Sequence, residues 1–138
     1  MNKKDKELLL KDLSARLPYG VICFKEITNC MPDNSVLLEE DIYSFRTGKP
    51  TVADYGQYDY YKTVVLELKP YLRSMDDMTD EEEKEYINID NRSYSCPMDY
   101  AHIPASERID WLNANHFNYR LPEHLYIKVT KDNNPYKK

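Results

Sequence analysis

Cys96, Asp99 and His102 fall within one seven-residue stretch and carry a thiol, an orienting carboxylate and a base. Those are the groups of nucleophilic cysteine catalysis. In cysteine enzymes, however, nucleophile and base are distant in sequence and are joined by the fold, so this local trio is expected to carry no catalysis. Cys23, Cys30, Cys96 and His102 supply zinc-ligand types. Structural zinc sites draw on pairs two to four residues apart, a spacing these residues do not have, and buried, inert cysteines are the expectation. Carboxylates abound at Asp76, Asp77 and Asp80 through Glu83. A glycosidase or hard-metal site needs them to converge from separate elements, whereas a local run at a helix start is explained by capping and solvation. Gly20, Gly48 and Gly56 are isolated, so no loop can cradle a phosphate, and no GxSxG elbow occurs. His116 falls on an apolar stripe, where a packed histidine is expected, and His124 lies near a turn and is expected to be exposed. The reading is of no catalytic residue, no cofactor and no metal.

The stretch from Asp54 to Tyr61 gathers Tyr55, Tyr58, Tyr60 and Tyr61 around Gly56. Tyrosines give large contact area at low entropy cost and recur at binding surfaces, so these four are the candidate interface residues. Aromatics also fill small cores, and a tyrosine-rich loop running into a strand is the plain structural alternative.

The elements that would position these groups follow from pattern. Residues 5–17 read as a helix capped by Asp5, with Leu9, Leu10, Leu13 and Leu17 on one stripe and Pro18 as its stop. Tyr19 to Ile27 alternates as a strand, with Ile22 and Phe24 expected to face the core. Asn29 to Ser35 reads as a turn, and Val36 to Phe45 as a strand broken by Glu39, Glu40 and Asp41. Thr63 to Leu68 is β-branched and apolar, and Pro70 is expected to end that strand or to mark a sheet edge. Thr79 stands three residues before Glu82 as a capping box, opening a helix over residues 79–88. A second helix spans Pro104 to His116, with Ile109, Leu112, His116 and Phe117 on one stripe and Trp111 beside it. Leu125 to Val129 is a last short strand, and residues 131–138 are expected to form a flexible tail.

The chain has 138 residues and a net charge of −5, which fits a single domain with an ordinary globular composition. Residues 1–25 carry +3 (six basic, three acidic), residues 26–110 carry −11 (eight, nineteen) and residues 111–138 carry +3 (five, two). An acidic middle argues against a general DNA-binding surface and permits an acidic face that meets a basic partner. An odd cysteine count without CxxC, no signal-peptide core and no membrane-length apolar run lead to the expectation of a cytoplasmic protein that does not enter a membrane.

Three stretches carry a resemblance. They are Leu8-Leu9-Leu10-Lys11-Asp12-Leu13-Ser14-Ala15-Arg16-Leu17-Pro18-Tyr19-Gly20-Val21; then Lys69-Pro70-Tyr71-Leu72-Arg73-Ser74-Met75 with the Met78-Thr79 helix start; then Ile109 through Arg120, containing Trp111, His116, Phe117 and Tyr119. In that order they resemble a family of small uncharacterised proteins of gut Bacteroidetes, associated with prophages and mobile elements. The resemblance covers about a third of the chain and implies no activity and no catalytic residue. It departs after Arg120, where Leu121-Pro122-Glu123 stands in place of a glycine and a short helical segment.

The expected fold is α+β: a curved antiparallel sheet of about four strands, with an SH3-like small barrel as a variant, packed with an N-terminal helix and one or two C-terminal helices. The expected function is that of a non-enzymatic accessory or regulatory protein acting through contact with a protein partner. The alternatives are a nucleic-acid-related role, as an acidic DNA mimic or a weak binder through Lys3, Lys4, Lys137 and Lys138, and an enzyme of unrecognised type built on Cys96 and His102.

Overall fold

A computed structural model describes residues 2–28, 31–52, 62–95 and 103–136. The elements are α1 (Lys3–Arg16), β1 (Ile22–Ile27), β2 (Asp33–Val36), α2 (Glu39–Thr47), β3 (Thr51–Val52), β4 (Lys62–Thr63), β5 (Val65–Leu72), α3 (Asp80–Ser95), α4 (Ile103–Ala114) and β6 (Ile127–Lys128). The main sheet runs β2-β1-β5-β6 and is open, not closed into a barrel. β1 is antiparallel to both β2 and β5, while β6 joins β5 in parallel, so the sheet is mixed. β3 and β4 form a separate two-stranded ribbon. The class is α+β.

Alternation decides which face of β1 is buried. Cys23 lies opposite Pro70, and Lys25 opposite Leu68, so they share a face. Val21, Cys23 and Lys25 are buried on it, with Leu9 and Leu13 of α1, Phe45 of α2, Leu68 and Leu72 of β5, and Leu121 and Leu125 completing the core. Each fully buried leucine contributes roughly 1.5–3 kcal/mol relative to exposure. Ile22 and Phe24 therefore point away from this core, the reverse of the expectation. Lys25 displaced the pattern: its ammonium is neutralised by Asp41 Oδ2 at 2.6 Å and donates to Val36 O at 2.8 Å, so the alkyl stem can line the interior.

Three other expectations are corrected, that for Pro70 in part. The strand expected over Val36 to Phe45 is the end of β2 followed by helix α2. Glu39, Glu40 and Asp41 are its first turn, where negative charge complements the helix dipole, and Leu38 N–H donates to Asp41 Oδ2 at 2.9 Å. Val65 N–H donates to Ser44 Oγ at 2.9 Å, locking α2 on β5. Pro70 does not end β5, which runs on to Leu72, and it is fully buried, yet its nitrogen faces a side of the strand that is unpaired at that point, a local sheet edge as expected. Leu72 C=O accepts from Val129 N–H at 2.9 Å, so residues of its parity aim their backbone groups toward β6. Pro70 shares that parity, and β6 pairs only from Tyr71 onward, so no ladder bond is asked of its nitrogen. α1 is capped by Asn2, whose Oδ1 accepts from Asp5 N–H at 2.8 Å, in place of the expected Asp5.

The capping box of α3 is present. Thr79 N–H donates to Glu82 Oε1 at 3.0 Å, and Glu82 N–H donates to Thr79 Oγ1 at 3.1 Å. α3 packs on α4 through Tyr86 and Trp111, with ring centroids 5.7 Å apart. α4 ends at Ala114, short of the expected His116. Phe117 N–H reaches Leu112 O at 2.9 Å and His116 N–H reaches Asn113 O at 3.1 Å, which is a Schellman ending with His116 at the left-handed position, φ 61°. No helix among the described residues is long and apolar enough to cross a membrane.

Candidate functional site

The second face of the sheet carries the side chains of β1 and β2 that the core does not take. Ile22 is opposite Val36, and Phe24 is opposite both Asn34 and Lys69. Ile22 and Phe24 are half-buried, and Val36 is 48% exposed. Tyr71 O–H donates to Asn34 Oδ1 at 3.1 Å across this face, and Lys69 pairs with Glu67 at 3.1 Å. β2 is an outer strand of the sheet, and Met31 and Leu38, which flank it, are both well exposed. The arrangement is an apolar row with a charged border, running to an outer strand.

A polar cluster is buried on the other side. Asp12 and Arg16, one helical turn apart on α1, are both fully buried. Asp12 accepts from Arg16 Nε through Oδ2 and from Arg120 Nε through Oδ1, each at 2.8 Å. The two guanidinium groups lie about 5 Å from the ring of Tyr119, whose hydroxyl accepts from Arg120 Nη2 and donates to Asn113 Oδ1, both at 2.9 Å. One carboxylate thus serves two cations, and Arg16 Nη1 and Nη2 have no hydrogen-bond partner among the described residues. Removing Asp12 would strand a buried charge, the costly way to break such a pair.

Beside this cluster a groove runs past Arg73. Its guanidinium donates to both oxygens of Glu82, at 2.8 and 2.6 Å, and lies over the Phe117 ring at 4.2 Å. That bidentate hydrogen bonding, foremost, holds the Glu82 carboxyl down to about 2. Arg73 walls two cavities, one of about 400 Å³ with Asp77, Lys128 and Lys131, the other of about 370 Å³ with Asn115, His116 and Tyr136; Asn134 borders both. His116 stacks on Tyr136, ring centroids 4.0 Å apart and 9° from parallel. Burial, aided by the charges of Arg16 and Arg73, lowers His116 to about 4, so the imidazole is neutral at pH 7. The Tyr136 hydroxyl accepts from Ile22 N–H at 2.9 Å and donates to Tyr71 O at 2.8 Å. It therefore stands between β1 and β5. Burial raises its ionisation well above the usual phenol range.

Tyr55, Tyr58, Tyr60 and Tyr61 lie outside the described residues, as do Cys30, Cys96, Asp99 and His102. Cys23 is a core residue whose thiol burial pushes up to about 12, so it is no nucleophile at neutral pH. His124 is exposed, as expected, with Nε2 2.9 Å from Asp5 Oδ2. Within the stretch expected to form a flexible tail, Tyr136 packs against the core. Sequence reasoning missed Asp12, Arg16, Arg73 and Tyr136. Asp12 and Arg16 were detectable as polar residues at i, i+3, i+4, i+7 with Leu9 and Leu13; nothing in the sequence marks Tyr136. No protein-family model, curated protein or solved structure matches the chain.

Proposed function

We propose that this chain is a non-enzymatic accessory protein that works by binding another protein, and that the second face of its sheet makes the contact. The observation that carries this is the row Ile22, Phe24 and Val36, left half-exposed on β1 and the outer strand β2 while β1 buries Cys23 and Lys25 on its other face. Contiguous exposed apolar side chains rimmed by polar ones mark docking surfaces, and an outer strand with free backbone groups can accept a partner strand. Tyr55, Tyr58, Tyr60 and Tyr61, in the segment between β3 and β4, are proposed as a second part of the surface.

The test is affinity capture with the tagged protein against two variants, Phe24→Glu with Val36→Glu, and Tyr58, Tyr60 and Tyr61 together to Ala. A stoichiometric partner retained by the wild type and lost at least about tenfold in the sheet-face variant supports the reading. A partner lost only in the tyrosine variant moves the contact to that segment. Partners unchanged in both variants refute it.

A further inference from the structure

We propose that the slot filled by Tyr136 is a phenol-binding site, occupied in cis by the chain's own side chain and open to a tyrosine of a peptide when residues 130–136 withdraw. Three observations support it, and none depends on the sheet-face reading.

The slot recognises every part of a phenol. The His116 imidazole covers the ring face, Ile22 N–H donates to the hydroxyl, and Tyr71 C=O accepts from it. A phenyl ring without the hydroxyl would leave both backbone groups buried and unpaired, which is how a site built for a hydroxyl rejects its deoxy analogue. The hydroxyl also replaces a sheet bond. Leu72 aims its carbonyl at β6, so Tyr71 aims its own toward β1, where Ile22 N–H is the facing donor. The two strands meet there through Tyr136 instead of directly. The sheet is left with a donor and an acceptor that the Tyr136 hydroxyl bridges.

The site is also held in a strained form and has room beside it. His116 adopts φ 61° at a helix ending where glycine is usual, and that conformation places its ring on Tyr136. Cavities of about 400 and 370 Å³ border Asn134, each walled by Arg73, so residues 130–136 cross an opening with space on either side. Residues 130–133 are exposed, and the bonds between Thr130 and Asn133, and from Tyr136 N–H to Asn134 Oδ1, stay within the segment. The Tyr136 side chain ties the segment to the body of the protein.

The probes are N-acetyltyrosinamide and N-acetylphenylalaninamide, titrated into the Tyr136→Ala protein and the wild type while the Ile22 amide is followed by NMR. The expected result is saturable binding of the tyrosine probe to Tyr136→Ala, with renewed protection of the Ile22 amide from exchange. The phenylalanine probe should bind at least about tenfold more weakly. The wild type, whose own residue competes, should bind the tyrosine probe at least about tenfold more weakly than the variant does. If Tyr136→Ala is folded and binds neither probe, or binds both alike, Tyr136 is a structural anchor only and the proposal falls. If the variant is unfolded alone, the tyrosine probe should raise its folded fraction and the phenylalanine probe should not; absence of that rescue equally overturns it.

Discussion

His116 shows how a single side chain couples conformation, charge and stability. Its folded value of about 4 lies below its ordinary 6.5, because burial and two arginines disfavour the imidazolium. The sign follows directly. Between these values the unfolded chain takes up a proton that the folded chain refuses, so stability is full above about pH 6.5 and falls as pH drops toward 4. The loss should be on the order of 1–2 kcal/mol, discounted for the ring's partial exposure. Urea unfolding at pH 7.5 and 4.5 should show it in the wild type and not in His116→Asn, a residue that tolerates the same left-handed backbone. An equal pH slope in both proteins would contradict the assignment. The sequence showed His116 as a packed histidine, and it is packed. The helix ending was hidden, because a histidine at the position glycine usually takes carries no stop signal.

At the scale of the element, α2 and β5 are the instructive cases. The acids Glu39 to Asp41 interrupt an apolar run and suggest a broken strand, yet they open a helix. The start was illegible because Leu38, at the cap position, has no side-chain oxygen to announce it. Asp41 holds both parts together, capping α2 through Leu38 N–H and neutralising the buried Lys25 ammonium. Asp41→Ala should therefore cost about 3 kcal/mol in urea denaturation, more than a cap alone, because the ammonium is left without its counter-charge. Adding Lys25→Met to the same protein should recover most of the loss, since the buried cation goes with its partner. In β5 the strand signal was clear, but Pro70 read as its end or as a sheet edge. Whether a proline breaks a strand depends on which side its nitrogen faces, and that is set by partners distant in sequence. The capping box of α3, by contrast, is a matter of spacing alone and was legible in full.

For the molecule as a whole, the consequential misreading is of the sheet's two faces. Strand alternation gives two equal candidate faces, and β1 presents Ile22 and Phe24 on the one that looks more apolar. Tertiary pairing chose the other, because Lys25 is neutralised there and Val21 and Cys23 pack against the helices. The α+β class and the N-terminal helix survive that inversion; the candidate contact surface exists only because of it. Two substitutions separate the faces. Leu68→Ala should lose about 2–5 kcal/mol by chemical denaturation, while Phe24→Ala should lose about 1 kcal/mol or less. Comparable losses would mean that both faces are core.

The bridge made by Tyr136 bears on the order in which the molecule assembles. It joins groups 114 and 65 residues away along the chain, whereas the turn and helix caps around it close within a few residues. Contacts that close such long loops tend to form after the folding barrier has been crossed. Tyr136→Phe keeps the ring and deletes the hydroxyl, so in stopped-flow experiments it should leave the refolding rate nearly unchanged and speed unfolding by about tenfold. On that account β1 and β5 come together first with an unfilled seam, and the last step of folding is the fastening of a latch.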